Sequence, residues 1–244
     1  DNNVGGIVGY AKNTTIGNPL GEDAYTIYNQ LGVTGGWNVG GIVGLIEGNS
    51  TVQNVANHGD VKATSHMQEQ YQYHANAAQW QMDDYLNNKY EGINTTMQGD
   101  VATVKDLNVA NAGGIAGKAD GKDGQLTITN VKNDGDVKTS SQTQEYTDGG
   151  NKFTLDRYDA GNVGGVVGFA NDVRIENAEN SENHVAGAHN VGGVAGYLTG
   201  KSVVDSSQND GGDITATGAR KGDVFVKEMP AGSDPATIGN IGGV

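Results

Sequence analysis

The sequence predicts an all-β fold, a three-sided parallel β-helix (β-solenoid) of about five coils. Three observations carry that prediction: a heptad that recurs through the chain, glycine enriched without proline, and short β-branched runs separated by Asn, Asp and Gly.

The heptad comes first. It reads Asn3-Val-Gly-Gly-Ile-Val-Gly9, Asn38-Val-Gly-Gly-Ile-Val-Gly44, Asn111-Ala-Gly-Gly-Ile-Ala-Gly117, Asn162-Val-Gly-Gly-Val-Val-Gly168 and Asn190-Val-Gly-Gly-Val-Ala-Gly196. A sixth copy, Asn240-Ile-Gly-Gly-Val244, is incomplete. A second run follows: Ser50-Thr-Val-Gln-Asn54, Leu126-Thr-Ile-Thr-Asn130 and Val173-Arg-Ile-Glu-Asn177, with Thr14-Thr-Ile-Gly-Asn18 and Ser202-Val-Val-Asp-Ser206 as looser copies. The third is Asn57-His-Gly-Asp-Val61, Asn133-Asp-Gly-Asp-Val137 and Asn209-Asp-Gly-Gly-Asp-Ile214. Three short β runs per unit, divided by turn residues, give one turn of a three-sided helix.

The spacing sets the coil length. Successive heptads start 35, 73, 51, 28 and 50 residues apart. The shortest interval is a bare coil, and the others carry insertions, expected at 19–37, 65–109, 142–161 and 218–239. Residues 1–244 thus read as a single solenoid segment.

Within the heptad the fifth position is Ile7, Ile42, Ile115, Val166, Val194 and Val244, always β-branched, as a stacked interior row requires. The sixth, Val8, Val43, Ala116, Val167 and Ala195, is apolar too. A strand apolar on both faces is expected to be covered on both, here by the insertions or another chain. The leading asparagines are expected to form a hydrogen-bonded ladder. The Asn-His-Gly and Asn-Asp-Gly corners read as turn chemistry, since Asn and Gly tolerate positive φ.

Composition agrees and excludes. There are 40 Gly and 3 Pro, against about 17 and 12 at average usage, which rules out collagen and proline-rich linkers. With no cysteine there is no disulfide or thiolate chemistry. The formal net charge of -14, with a pI near 4.5, disfavours nucleic acid as a partner. No apolar run is long enough to span a membrane as a helix.

The Gly-Gly-Ile-Val-Gly run, with Thr-Val-x-Asn and Asn-x-Gly-Asp-Val after it, resembles the GLUG-motif repeat of large bacterial surface and secreted proteins. These include adhesins and the non-catalytic stalks of immunoglobulin-A-cleaving metallopeptidases. The resemblance covers the repeats, roughly half the chain, and none of the insertions; the family often has Leu where this chain has Ile42 or Val166. It implies an extracellular, cell-surface stalk or adhesin and marks no catalytic residue.

The insertions offer the candidate sites. Ser65-His-Met-Gln68 matches a helix capping box, and Tyr71, Ala75, Ala78, Met82, Tyr85, Leu86 and Tyr90 recur three or four apart up to Gly92. An amphipathic helix is expected there, presenting Tyr71, Tyr73, Trp80, Tyr85 and Tyr90 as candidates for binding a host glycan or protein. Gln144-Glu-Tyr-Thr147 and Lys152-Phe-Thr-Leu155 flank Asp148-Gly-Gly-Asn151, the signature of a β-hairpin.

Catalytic and cofactor patterns are scarce. His66 and His74 stand two turns apart on the expected helix, too far for a shared metal without more ligands. Asp120-Gly-Lys-Asp123-Gly lacks the length and terminal Glu of a calcium loop. The sequence therefore predicts no catalytic residue, metal or cofactor. It favours a structural and adhesive segment of an extracellular bacterial fibre or stalk over two alternatives, a self-assembling filament subunit and a β-helix carbohydrate-active enzyme. Both ends fall inside a heptad, so further coils or copies are expected end to end.

Overall fold

The computed structural model describes residues 3–19, 25, 27–64, 70–72, 94–98, 101–105, 110–121, 125–148, 151–158, 161–188, 190–216 and 240–242. These residues are all-β, with parallel sheets and no helix among them.

The first repeat contributes β1 (Asn3–Gly5), β2 (Val8–Lys12), β3 (Thr15–Ile16), β4 (Ile27–Asn29) and β5 (Val33–Gly35). The second contributes β6 (Asn38–Gly40), β7 (Val43–Glu47), β8 (Thr51–Asn57) and β9 (Val61–Ala63). Between it and the third lie β10 (Gln70–Gln72), β11 (Asn94–Gln98) and β12 (Val101–Lys105). The third repeat holds β13 (Ala110–Gly113), β14 (Ala116–Asp120), β15 (Leu126–Asn133) and β16 (Val137–Thr139), followed by β17 (Ser141–Asp148) and β18 (Asn151–Tyr158). The fourth holds β19 (Gly161–Gly164), β20 (Val167–Asn171), β21 (Val173–Ser181) and β22 (His184–Gly187). The fifth holds β23 (Asn190–Gly192), β24 (Ala195–Thr199), β25 (Val203–Asp205), β26 (Gln208–Asp210) and β27 (Asp213–Ala216), and β28 (Asn240–Gly242) comes last.

Four parallel sheets run through all five repeats. Sheet 1 has the order β1-β6-β13-β19-β23-β28, and sheet 2 β2-β7-β14-β20-β24. Sheet 3 runs from β3 and β4 through β8, β15 and β21 to β25 and β26; sheet 4 has the order β5-β9-β16-β22-β27. Register follows the repeat without slippage: Asn3, Asn38, Asn111, Asn162, Asn190 and Asn240 are successive partners.

The heptad is two strands and not one. Its Gly-Gly-Ile centre bends the chain, so that consecutive N–H groups converge on one acceptor. Ile42 and Val43 both donate to the Ile115 carbonyl, at 3.1 and 2.9 Å, and Ile115 and Ala116 both donate to that of Val166, at 2.9 and 3.1 Å. In an extended strand neighbouring N–H groups point opposite ways. The bend thus breaks the alternation and sends both apolar positions into one core. Ile42 and Val43 are fully buried in the same cluster, with Ile46, Val52, Val55 and their counterparts in other repeats. The covering layer expected over a second apolar face is therefore not what buries Val43.

Glycine makes the bend possible. A β-carbon at Gly41 would overlap the Asn57 carboxamide and the Gly114 carbonyl, and one at Gly44 would stand 2.7 Å from the Gly9 carbonyl oxygen. The vertex between sheets 1 and 2 thereby reaches across to the corner between sheets 3 and 4. It divides the interior into two apolar clusters. One lies between sheets 2 and 3; the other, built on Val39, Val61, Ala112, Val137, Val163 and Val185, lies between sheets 1 and 4.

Sheet 3 has its own kink. Asn54, Asn130 and Asn177 sit mid-strand at φ of 53°, 50° and 49°, a left-handed conformation that Asn tolerates better than most residues. Asn57 and Asn133, read from the sequence as turn residues, are absent from the positive-φ set. Both are fully buried.

Between repeats two and three, β10 and β11 pair antiparallel with β12, Tyr71 opposite Ala102. The helix expected from Ser65 to Gly92 is thus corrected at Gln70–Gln72, where the backbone hydrogen bonds go to a strand about thirty residues on instead of to the next turn of a helix. The rest of that segment lies outside the described residues. β17 and β18 pair antiparallel from Ser141 opposite Tyr158 to Asp148 opposite Asn151, a hairpin.

Candidate functional site

Two asparagine columns form the most organised polar feature. In the outer one, Asn38 Nδ2 donates to Asn3 Oδ1 at 2.8 Å, Asn111 to Asn38 at 2.7 Å, Asn162 to Asn111 at 2.8 Å and Asn190 to Asn162 at 2.7 Å. The inner column runs the other way. Asn29 Nδ2 donates to Asn57 Oδ1 at 2.8 Å, Asn57 to Asn133 at 2.7 Å, Asn133 to Asn180 at 2.9 Å and Asn180 to Asn209 at 2.6 Å. Each inner amide also closes its corner: Asn29, Asn57 and Asn133 donate to the carbonyls of Leu31, Gly59 and Gly135. In the fourth repeat Asn183 enters the interior and itself donates to the Gly135 carbonyl at 3.0 Å. Sequence reasoning found the outer column and missed the inner one. Its signal was available, because Asn57, Asn133, Asn180 and Asn209 recur three residues after the Asn54, Asn130, Asn177 and Ser206 kinks.

The outward face of sheet 2 carries a second column. Tyr10, Leu45, Lys118, Phe169 and Tyr197 are register partners. Phe169 and Tyr197 stack at 5.5 Å between centroids and 23° between planes, and Lys118 Nζ lies 5.4 Å from the Phe169 centroid. Beside it runs Lys12, Glu47, Asp120, Asn171 and Thr199. Tyr10 donates to Glu47 at 2.9 Å, Lys12 and Lys118 pair with Glu47 and Asp120 at 3.6 and 3.7 Å, and Asn171 donates to Asp120 at 3.1 Å. The Glu47 carboxylate raises the pKa of the Tyr10 phenol. The stacked rings use their faces on one another, as cross-strand pairs do.

On sheet 3, Lys132 and Glu179 pair at 2.8 Å. That hydrogen bond raises the lysine pKa and holds the carboxyl below its ordinary value. Tyr25, pushed up by burial first and then by the Glu179 carboxylate, places part of the first insertion near that pair. At the corner before sheet 4, His58 Nδ1 lies 2.8 Å from Asp134 Oδ1. Among the described residues no group of three or more His, Asp or Glu is placed to hold a metal.

Of the aromatic residues singled out in the sequence, Tyr71 lies in β10; Tyr73, Trp80, Tyr85 and Tyr90 lie outside the described residues, as do His66 and His74. The insertions do share a place of departure. Those at 64–109, 140–160 and 217–239 each leave between a strand of sheet 4 and the next strand of sheet 1, on repeats two, three and five. The hairpin does not stand clear of the body: β18 touches β22.

Comparison with protein-family models, curated proteins and solved structures returns no match.

Proposed function

We propose that this chain is a structural and adhesive segment of an extracellular bacterial surface fibre or stalk, a three-sided β-solenoid of five coils with its insertions as binding decorations. In outline, sheets 3 and 4 are two of the sides, and sheets 1 and 2, folded together at the glycine bend, are the third. The observation that carries the reading is the division of labour along the chain. Four sheets pass through five repeats in one register, while three long insertions leave from a single edge of that rod. A rod of stacked repeats bears load through its backbone ladders, and decorations that depart from one edge are placed to act on one partner. The resemblance of the heptad to the GLUG-motif repeat supports the bacterial surface assignment. Host glycans or host proteins are the proposed ligands, with Tyr71, Tyr73, Trp80, Tyr85 and Tyr90 as the proposed contact residues.

Labelling of intact cells of the source bacterium with a membrane-impermeant amine reagent tests the location. The expected result is labelling of this chain as strong on intact as on lysed cells; labelling only after lysis sinks the proposal. For adhesion, the chain with 65–109 replaced by a Gly/Ser linker is compared with the native chain on host cells. Loss of binding with retained thermal stability is expected, and retained binding refutes the ligand assignment.

A further inference from the structure

We propose that the corner between sheets 2 and 3, across repeats three to five, is a binding site for a neutral oligosaccharide. The site lies on the rod itself, apart from the aromatic residues of the 65–109 insertion, and does not rest on the surface-fibre reading.

A cleft of about 540 Å³ opens at that corner, within the ~300–1,000 Å³ range of small-ligand sites. Register shows why it is there. Asp120, Asn171 and Thr199 are partners at the end of sheet 2, and Thr127, Arg174 and Val203 are partners at the start of sheet 3. Between those two rows repeat three has six residues, repeat four two and repeat five three. The short fourth corner is therefore recessed between two longer ones. Asp172 stands at the short corner, with Gly121 and Gln125 from one neighbouring repeat and Lys201 and Val203 from the other.

The polar groups of the recess are held in place by their own bonds. Asp172 takes a φ of 53°, and its Oδ1 accepts from the Lys201 N–H at 2.6 Å. Arg174 Nε donates to Glu176 at 2.6 Å, and its Nη2 reaches Asp205 at 3.3 Å. Among the described residues these bonds leave Asp172 Oδ2, Arg174 Nη1, Lys201 Nζ and the side chains of Thr127 and Gln125 without a partner.

Charge and hydrogen-bonding chemistry choose the occupant. Arg174 and Lys201 stand against Asp172, Glu176 and Asp205, and the chain between Gly121 and Gln125 adds one charge of each sign, Lys122 and Asp123. So near a balance gives no positive field for a polyanion. What the recess offers is fixed donors and acceptors side by side, next to the apolar Val203, which is 43% exposed. A sugar matches that set. Each hydroxyl both donates and accepts, so one ring can take a hydrogen bond from Lys201 Nζ and give one to Asp172 Oδ2 while its C–H face covers Val203. Both bonds involve an ionised group and are of the stronger kind. Thr127, Arg174 and Val203 follow one another on three strands, about 10 Å from first to last, which is room for a short oligosaccharide along the rod.

Binding of the full chain to immobilised maltotriose, cellotriose and lacto-N-tetraose tests the proposal, with sialyllactose and a heparin tetrasaccharide as acidic counterparts. The tightest neutral ligand is then titrated into isotope-labelled chain and followed by NMR. A neutral oligosaccharide is expected to bind and to shift the amides of Thr127, Asp172 and Lys201. Lys201→Ala and Asp172→Asn should each weaken binding about tenfold, the worth of one charge-assisted hydrogen bond. Thermal melts of both variants should match the native chain. The Lys201 side chain is exposed, and Asn at 172 keeps the left-handed backbone and the Oδ1 acceptor. No binding of any neutral ligand, binding of the acidic ones alone, or neutral binding unchanged in both variants overturns the proposal. Surface labelling and host-cell binding, which test the surface-fibre reading, do not depend on these outcomes.

Discussion

Asn133 sits at 0% exposure with its amide fully used: it accepts from Asn57 and donates to Asn180 and to the Gly135 carbonyl. Truncation strands one N–H of the buried Asn57 amide and takes one of two donors from Asn180 Oδ1 and from the Gly135 carbonyl, which keep Asn183. Asn133→Ala should therefore cost about 2–4 kcal/mol, because an unsatisfied buried group costs more than a hydrogen bond nets. Asn3→Ala, at the end of the other column with one side-chain hydrogen bond, should cost less than about 1 kcal/mol. Urea unfolding of the two variants checks the contrast, and equal losses refute the ladder account. The Lys132–Glu179 pair gives a pH test. Glu179 titrates below its ordinary value of 4.5 in the folded chain, chiefly through its hydrogen bond to Lys132. Its contribution is present above that ordinary value and is lost as pH falls through the lower folded one. Both side chains are about one-third exposed, so solvent screening keeps the contribution below about 1 kcal/mol. Glu179→Gln should slightly flatten the acid limb of the stability profile and, because the same hydrogen bond raises the Lys132 pKa, the alkaline limb above the lysine's ordinary value of 10.5 as well.

At the scale of the element, the bend at Gly41-Ile42 decides how the heptad folds. Gly44→Ala should cost about 2–3 kcal/mol, since backbone atoms of the facing sheet have no room to withdraw. Replacing 142–158 by a short Gly/Ser linker should cost about 1 kcal/mol, the loss of the contact between β18 and β22. Thermal melts of both variants read the difference. The same bend shows what was legible in the sequence. The repeats, the asparagine column on Asn38 and the hairpin strands either side of Asp148 and Asn151 carry local signals, and each is found in the structure. Alternation counts residues along a straight strand, so it has no means of registering a corner between Ile42 and Val43. It read two neighbours in one core as two opposite faces. At Gln70–Gln72 the three-to-four spacing suggested a helix, but the partner strand is β12, too distant in sequence for any local pattern to reveal. Of the candidate site, the outward column of sheet 2 was visible as a variable position after each heptad. Its stacking was not, because stacking depends on register between repeats.

For the molecule as a whole, the interior rows are the weak point and the outward columns the tolerant one. Ile42→Asp places an unpaired carboxylate where no water reaches and should cost about 4 kcal/mol or more, enough to leave most of the chain unfolded. Lys118→Leu puts into the third repeat the residue that Leu45 already supplies in register one strand away, and should change stability by no more than about 0.5 kcal/mol. Circular dichroism with urea titration on both variants checks the assignment of inside and outside for every repeat at once.

The opposed directions of the two asparagine columns bear on how long such a rod can grow. A column of aligned amides is a row of dipoles adding head to tail, as peptide dipoles do in a helix, and one column alone would build up opposite partial charges at its two ends. Here the outer column points from later repeats to earlier ones and the inner column from earlier to later. Their fields oppose one another at every repeat. Adding a repeat lengthens both together and leaves the axial polarisation of the side chains near zero, so the thirtieth repeat would meet the same electrostatic environment as the third.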